Sequence, residues 1–294
     1  MELVGIRKAY GTAEALRGID LRVERGECLA ILGPNGAGKT TAISLLLGLR
    51  QPTAGRVMLF GRSPADRMSR SRRGAMLQES GIPGRLTVRE LVGLFRSYYP
   101  HPLPVAEALE LAGLTRESDT MAASLSGGQR QRLYFALAVC GDPEVLFLDE
   151  PTVAMDVTSR RAFRETIVRY RELGKTIVLT THFMEEADEI ARRIVVIDRG
   201  VIVADGSASQ VKAKASGRRV QFAVRDEVDG RSFAGLPVSA LTISDHHVKF
   251  LSNQPERVLA ELFRREIGIR DLEVVGADLE EAFLALTSSG EVTQ

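Results

Sequence analysis

The sequence predicts an α/β protein, a mostly parallel sheet carrying helices, followed by a smaller α+β unit. Three observations predict it. Short apolar runs, several nearly continuous, alternate with longer helical patterns, which is how strands buried on both faces of a parallel sheet read. The helical patterns open on recognisable start signals. Around 206–219 the alternation lapses into a small, polar stretch and then restarts on a smaller scale. That lapse marks a domain boundary, with residues 1–216 before it and 217–294 after it.

The strand-length runs are 27–32, 145–148, 176–180 and 194–197. Between them, Thr87-Val88-Arg89-Glu90 has the form of a capping box, and Leu91, Leu94, Phe95 and Tyr98 then recur at helical spacing. Ser126-Gly127-Gly128-Gln129 repeats the Ser-x-x-Gln form ahead of Leu133, Phe135, Ala136 and Val139, so a second helix is expected there. Beyond the boundary the pattern predicts strands near 220–224, 248–251 and 272–275, and helices across 256–266 and 279–286.

With 294 residues, 44% hydrophobic and 26% charged, the composition is that of a folded chain with ample core, not of a disordered one. A net charge of +1 supplies no global attraction to nucleic acid or to an anionic membrane. Cys28 and Cys140 both sit in apolar surroundings and do not make a disulfide framework, which fits a reducing cytosol. No apolar run approaches the ~18 residues that span a bilayer, and Met1-Glu2-Leu3-Val4 lacks the basic flank and apolar core of a signal peptide. Any membrane-spanning part is therefore expected on another chain.

The chemistry starts at the end of the first apolar run, where Gly33-Pro34-Asn35-Gly36-Ala37-Gly38-Lys39-Thr40 matches the phosphate-loop pattern G-x-x-x-x-G-K-[ST] between a strand and a helix-forming run that begins at Thr41. The glycines let successive backbone N–H groups turn inward around phosphate oxygens, and the helix opening near Lys39 adds its positive end. Lys39 is placed to reach the β- and γ-phosphates, and Thr40 to hold Mg²⁺. This loop alone leaves GTPases, kinases and motor ATPases open. Val145-Leu146-Phe147-Leu148-Asp149-Glu150 then ends a buried strand on two carboxylates, and ligands in such sheets gather at the carboxyl ends of strands. Asp149 can reach Mg²⁺, and Glu150, one residue on, can orient an attacking water.

Leu125-Ser126-Gly127-Gly128-Gln129 narrows the choice. Alone it is no more than a helix cap. In the order phosphate loop, Gln78, Ser-Gly-Gly-Gln, acidic strand, His182, it resembles the signature of the ATP-binding cassette family over 10–205. The resemblance implies a P-loop NTPase cassette with a mostly parallel sheet, a helical subdomain and a small C-terminal α+β domain, binding ATP with Mg²⁺ and hydrolysing it. It implies that Gln78 contacts Mg²⁺ and water and senses a membrane partner, that Tyr10, twenty-nine residues before Lys39, stacks on adenine, and that His182 contacts the γ-phosphate. Asp156 stands where the family has its Asp loop, although Ala154-Met155 replaces the usual Gly-Leu before it. Ser126, Gly127, Gly128 and Gln129 are expected to cap the γ-phosphate held by a second copy, so that two ATP molecules are sandwiched in a homodimer.

Within that family the expected partner is a separate transmembrane permease, which places the chain in the cytoplasm on the inner face of the cell membrane. No nucleic acid partner is expected. A soluble cassette of translation or DNA repair is the alternative, as is an importer subunit. One phosphate loop speaks against the first, and the 87 residues from Lys39 to Ser126, without sustained heptads, against a repair coiled coil. Arg62, Arg67, Arg70, Arg72 and Arg73 form a basic run without interleaved aromatics and read as a solvated loop. The stretch 83–99, with Leu86, Phe95, Tyr98 and Tyr99, is expected to offer apolar surface to a permease helix. Residues 151–157 and 278–284 are similar to drug-, antibiotic- and polysaccharide-type exporters that keep cassette and permease on separate chains, and transported substrate is a property of the permease.

Overall fold

The computed structural model describes residues 1–77, 81–153, 155–214, 217–225, 228–276 and 278–288. Along the chain, β1 (Glu2–Tyr10) and β2 (Ala13–Arg22) pair antiparallel, β3 (Cys28–Leu32) opens a second sheet, and β4 (Ala54–Met58) returns to the free edge of β1. The second sheet is completed by β5 (Arg73–Met76), β6 (Val145–Asp149), β7 (Thr176–Thr180), β8 (Arg193–Asp198) and β9 (Val201–Gly206), in the order β5-β6-β7-β3-β8-β9. Its pairs from β5 to β8 are parallel. β3, β6 and β7 are buried at every position, as their continuous apolar sequence requires. Between β8 and β9 only Arg199 and Gly200 intervene, at φ 46° and 79°, the left-handed pair that a two-residue hairpin turn demands.

The helices are α1 (Lys39–Leu46), α2 (Arg67–Arg70), α3 (Val88–Arg96), α4 (Val105–Leu111), α5 (Gly127–Val139), α6 (Val157–Glu172) and α7 (Met184–Ile190). One core lies between the two sheets around α1, from Leu3, Ile6, Leu16 and Ile19 to Leu29, Ile31, Ile43 and Leu46. α3, α4 and α5 pack on one another as a helical subdomain. Phe135 of α5 meets Phe163 and Tyr170 of α6 edge to face at 5.5 and 5.7 Å, the arrangement that the aromatic quadrupole favours.

Both capping boxes are present. Thr87 Oγ1 accepts from Glu90 N at 3.2 Å while Thr87 N donates to Glu90 Oε2 at 2.8 Å, and Ser126 and Gln129 do the same at the head of α5. Thr87→Ala removes the first of these and is expected to cost about 1 kcal/mol, lowering the melting temperature by roughly 2–4 °C. An unchanged melt would show that α3 does not depend on its cap.

Backbone contacts divide the chain into two units, Met1–Asp205 and Gly206–Gln294. The division falls before 206–216, which the sequence groups with the first domain, because this stretch forms α8 (Ala208–Lys214) and packs on the last helix. The second unit is an antiparallel sheet of β10 (Arg218–Val224), β11 (Ser239–Ser244), β12 (His247–Ser252) and β13 (Ile269–Gly276), in the order β11-β12-β10-β13. α9 (Pro255–Arg264) closes a core with Val220, Phe222, Phe250, Val258 and Leu262. α10 (Leu279–Ser288) starts at a reciprocal Asp278–Glu281 pair, and Arg219 and Lys249 of the sheet bond to those acids at 2.7 and 2.9 Å. Among the described residues no helix is long and apolar enough to cross a membrane.

Candidate functional site

The phosphate loop leaves the carboxyl end of β3, a central strand flanked by β7 and β8, where open α/β sheets gather ligands. Two of its glycines are dictated by space. A Cβ at Gly33 would stand 2.3 Å from the Ile197 carbonyl oxygen, and one at Gly38, which has φ +109°, would stand 2.6 Å from that of Ala15. Gly38 is also the N-cap of α1 and brings no capping side chain, so the head of α1 keeps N–H groups for an anion. Pro34, Asn35 and Gly36 are exposed, Ala37 is buried, and Thr41 is half-buried behind the exposed Thr40. Lys39 is only 5% exposed. Its Nζ donates to the carbonyl oxygens of Gly33 at 2.8 Å and Pro34 at 3.2 Å, folding the side chain back over the loop. Burial pushes its pKa down, and the nearby Glu150 and Asp149 oppose that.

The acid pair lies beside this loop. Asp149, 2% exposed, accepts on Oδ1 from Thr180 Oγ1 of β7 and, at 3.4 Å, from Thr40 Oγ1. Glu150 follows with φ +49°, a conformation that costs energy for a residue with a side chain and persists where the surroundings over-determine it. Those surroundings are visible: its N–H faces both the carbonyl and the hydroxyl oxygen of Thr180, each at 3.1 Å. The turn aims the Glu150 carboxylate between two basic groups, Lys39 Nζ at 3.9 Å and His182 Nδ1 at 3.5 Å. His182 stands two residues beyond β7 and is 45% exposed. Lys39, Thr40, Asp149, Glu150 and His182 thus converge at one end of one sheet, a set able to bind phosphate, a hard cation and a water.

Tyr10 ends β1 with its ring 45% exposed and the Lys8 ammonium 5.0 Å from the ring centroid. Ser126 and Gln129 spend hydrogen bonds on their own capping box, and Gln129 Nε2 also donates to Glu117 at 3.2 Å. Gly127 is exposed, while a side chain at Gly128 would meet Ser159 Oγ of α6 at 3.1 Å. Asp156 is the N-cap of α6 and accepts from Ser159 N at 2.9 Å; the Ser159 hydrogen bonds hold its pKa below the ordinary carboxylate value. Gln78 lies outside the described residues.

Sequence reasoning did not single out Thr152, Thr180, Thr181 or Glu186, which brace the acid pair and His182. The signal available was two adjacent threonines directly before the histidine, at the end of a strand that pairs with the acidic one. The basic run is only partly the solvated loop its composition suggests: Arg62, Arg67 and Arg70 are exposed, whereas Arg72 and Arg73 are half-buried. Arg72 makes a bidentate pair with Glu144 and stacks on Phe60 at 3.8 Å, and Arg73 is half-buried and donates to Pro64 O. Arg73 and Arg70 also border a groove of ≈ 420 Å³ whose apolar lining includes Leu47, Leu49, Ile82, Phe95 and Tyr99. Of the four residues expected to offer apolar surface, Phe95 and Tyr99 line it, and Leu86 and Tyr98 are not part of its lining.

A phosphate loop on the central strand, paired acids on a parallel neighbour and this sheet order define a P-loop nucleoside triphosphatase. Residues 16–153 match the family described as ABC transporter. The chain is 36% identical over 295 residues to the Nod factor export ATP-binding protein I of Cupriavidus pinatubonensis, covering 98% of this chain and 90% of that one. It is 36% identical over 290 residues to the protein of the same name from Burkholderia pseudomallei, covering 96% and 95%. Among solved structures it resembles the ATP-binding cassette MJ0796 in a dimeric post-hydrolysis state bound to ADP and Pi, with TM-score 0.64, 26% identity, and 70% of this chain and 97% of that one covered. A cbiO1 from Clostridium perfringens, part of the ABC transporter complex cbiONQ, gives TM-score 0.64 at 27% identity, covering 72% and 90%. The chain belongs to the ABC transporter family, as an ATP-binding and ATP-hydrolysing subunit.

Proposed function

We propose that this subunit binds Mg-ATP at the convergent cluster, closes on a second copy of itself around two nucleotides, and powers export through a separate membrane permease. The observation that carries the reading is the meeting of Thr40 with Asp149 at 3.4 Å and of Glu150, the next residue, with Lys39 at 3.9 Å and His182 at 3.5 Å. Residues 33–41 cradle the phosphates, with Lys39 swinging from the Gly33 and Pro34 carbonyls toward the β- and γ-oxygens. Tyr10 offers its exposed ring to adenine.

Thr40 Oγ1 and Asp149 Oδ1, 3.4 Å apart, are hard oxygen donors of the kind Mg²⁺ takes alongside phosphate oxygens and water. Thr40, Asp149 and Gln78 are the proposed protein partners of the ion. When bound, Mg²⁺ supplies neutralisation of charge on the phosphate oxygens. Glu150 orients the attacking water, and His182, whose Nδ1 lies 3.5 Å from the Glu150 carboxylate, contacts the γ-phosphate. Ser126, Gly127, Gly128 and Gln129 present the head of α5 to the nucleotide of the partner copy, and Asp156 borders the same junction.

The groove lined by Phe95 and Tyr99 is the proposed seat of a permease helix, which holds the subunit on the cytoplasmic face of the membrane. Relatives named for Nod factor export, matching nearly end to end, support the export direction over an importer or a soluble role in translation or repair. Substrate selection belongs to the permease.

Thermal melts test the nucleotide site. Mg-ATP at a hundred dissociation constants is expected to stabilise the protein by about 2.7 kcal/mol, a rise of roughly 5–10 °C. The rise should vanish in Lys39→Ala and shrink when EDTA replaces Mg²⁺. An equal rise in Lys39→Ala would refute the assignment.

A further inference from the structure

Glu186 is a charged residue with no solvent exposure at all, in the first turn of α7, and the reaction as described above makes no use of it. Its two carboxylate oxygens are divided between two loops. Oε1 accepts from Thr152 Oγ1, in the segment that follows Glu150, and Oε2 accepts from Thr181 Oγ1, directly before His182, at 2.7 Å. Thr181 Oγ1 in turn accepts from Phe183 N at 2.9 Å, so the side chain before His182 and the peptide after it are tied to the same carboxylate. Among the described residues no cation lies within ion-pair distance of Glu186. Its compensation is two hydroxyl donors and the positive end of α7.

A buried carboxylate without a cation is costly, and an apolar side chain of similar volume would suit a core better. What a carboxylate does that such a side chain cannot is accept from two donors at once and fix their separation. A second link joins the same two segments: the Arg160 guanidinium donates to Met155 O at 3.3 Å and stacks 3.8 Å from the centroid of the Phe183 ring. That ring lies against His182 at 4.1 Å. Both links bear on one geometry, the 3.5 Å approach of His182 Nδ1 to Glu150 Oε2, and Glu150 holds a left-handed backbone that needs external support.

We propose that Glu186 is a positioning residue for hydrolysis, a buried clamp that sets the distance between Glu150 and His182 by holding Thr152 and Thr181 together. This rests on the reading of Glu150 and His182 as the residues that address the water and the γ-phosphate. Glu186 touches neither, and it acts through the loops that carry them.

The test uses the full chain, with ATPase kinetics, melting temperature and ATP affinity measured on each variant. Glu186→Ala is expected to lower kcat tenfold or more while KM for ATP stays within threefold. Glu186→Gln, whose amide can accept from one threonine and donate to the other, should recover kcat to within threefold of the parent. Thr152→Val and Thr181→Val should each lower kcat, and neither should lower it further in the Glu186→Ala background. Should Glu186→Ala not fold, the Thr152→Val and Thr181→Val single variants each open one arm of the clamp while leaving the carboxylate its other donor, and their kcat decides the matter. A lower melting temperature with kcat unchanged would reduce Glu186 to a helix-end acid and overturn the proposal, as would a raised KM at constant kcat. Glu150→Gln run alongside separates the two readings: if it turns over ATP at the parental rate, the site assignment beneath the proposal falls with it, whereas an inactive Glu150→Gln beside a fully active Glu186→Ala sinks the clamp alone.

Discussion

Glu150→Gln is expected to lose ATP turnover by ~10²–10⁴-fold, the usual worth of a positioned base, while binding ATP within about threefold of the parent. The two properties separate because different atoms supply them. Phosphate affinity rests on the loop N–H groups, the head of α1 and Lys39, none of which the substitution removes. The Glu150 backbone is fixed by its left-handed turn and by Thr180, which receives its N–H twice, and its carboxylate approaches the loop at Lys39 Nζ, 3.9 Å away. Glutamine keeps that shape, so the turn and the contact with His182 survive, and only the charge that draws a water proton is lost. Lys39 feels the change as well, since Glu150 is the larger of the two acidic influences that oppose the lowering of its pKa by burial. Asp149 remains, and the Gly33 and Pro34 carbonyls still accept from the ammonium. Initial-rate phosphate release and nucleotide titration on the same preparation decide it. Turnover near the parental rate would remove Glu150 from the reaction.

The parallel sheet was legible because burial on both faces erases alternation: Cys28–Leu32, Val145–Asp149 and Thr176–Thr180 are apolar almost throughout, and all fifteen positions are buried. The antiparallel strands β1 and β2 were not. Their pairing shifts register between Leu3 and Ile6 and again on either side of Arg7 and Lys8, so the core residues Leu3 and Ile6, and Leu16 and Ile19, fall three apart, and the period of two on which strand recognition depends is broken. β11 escaped for another reason. It is the edge strand of its sheet, exposed or half-exposed along its length, and carries little hydrophobic signal. α8 reads as a polar linker because Val211 is the one buried residue among those whose burial is described in it.

At the site, the residues that follow from phosphate chemistry were readable, since a phosphate loop and paired acids at a strand end have few other uses. Their braces were not. Thr152, Thr181 and Glu186 matter through a geometry that joins 152 to 186, and spacing along the chain gives no sign of that meeting. Within the basic run Arg72 departs from expectation for a related reason: it finds its partner at Glu144, seventy-two residues away.

In the Glu150→Gln background, ATP is expected to turn the 32.1 kDa chain into a dimer of twice that mass, and adding Ser126→Arg is expected to abolish it. Blocked hydrolysis keeps the nucleotide intact, and a ligand bound better by the closed pair than by the open chains shifts the equilibrium by that difference. The head of α5 supplies the second wall. Its capping box satisfies the N–H of Gln129 and leaves the amides of Gly127 and Gly128 without a side-chain cap, and neither glycine has a side chain to keep an anion off. An arginine at the exposed Ser126 would put its long side chain where a partner's γ-phosphate must seat. It would also lose the cap, worth about 1 kcal/mol, so Ser126→Ala is the needed control: it loses the same cap without adding bulk, and should weaken the dimer only a few-fold. Light scattering at a concentration where the Glu150→Gln protein is fully dimeric distinguishes the cases. An ATP-dependent dimer that survives Ser126→Arg, or one that forms without nucleotide, would place the contact between copies somewhere other than the head of α5.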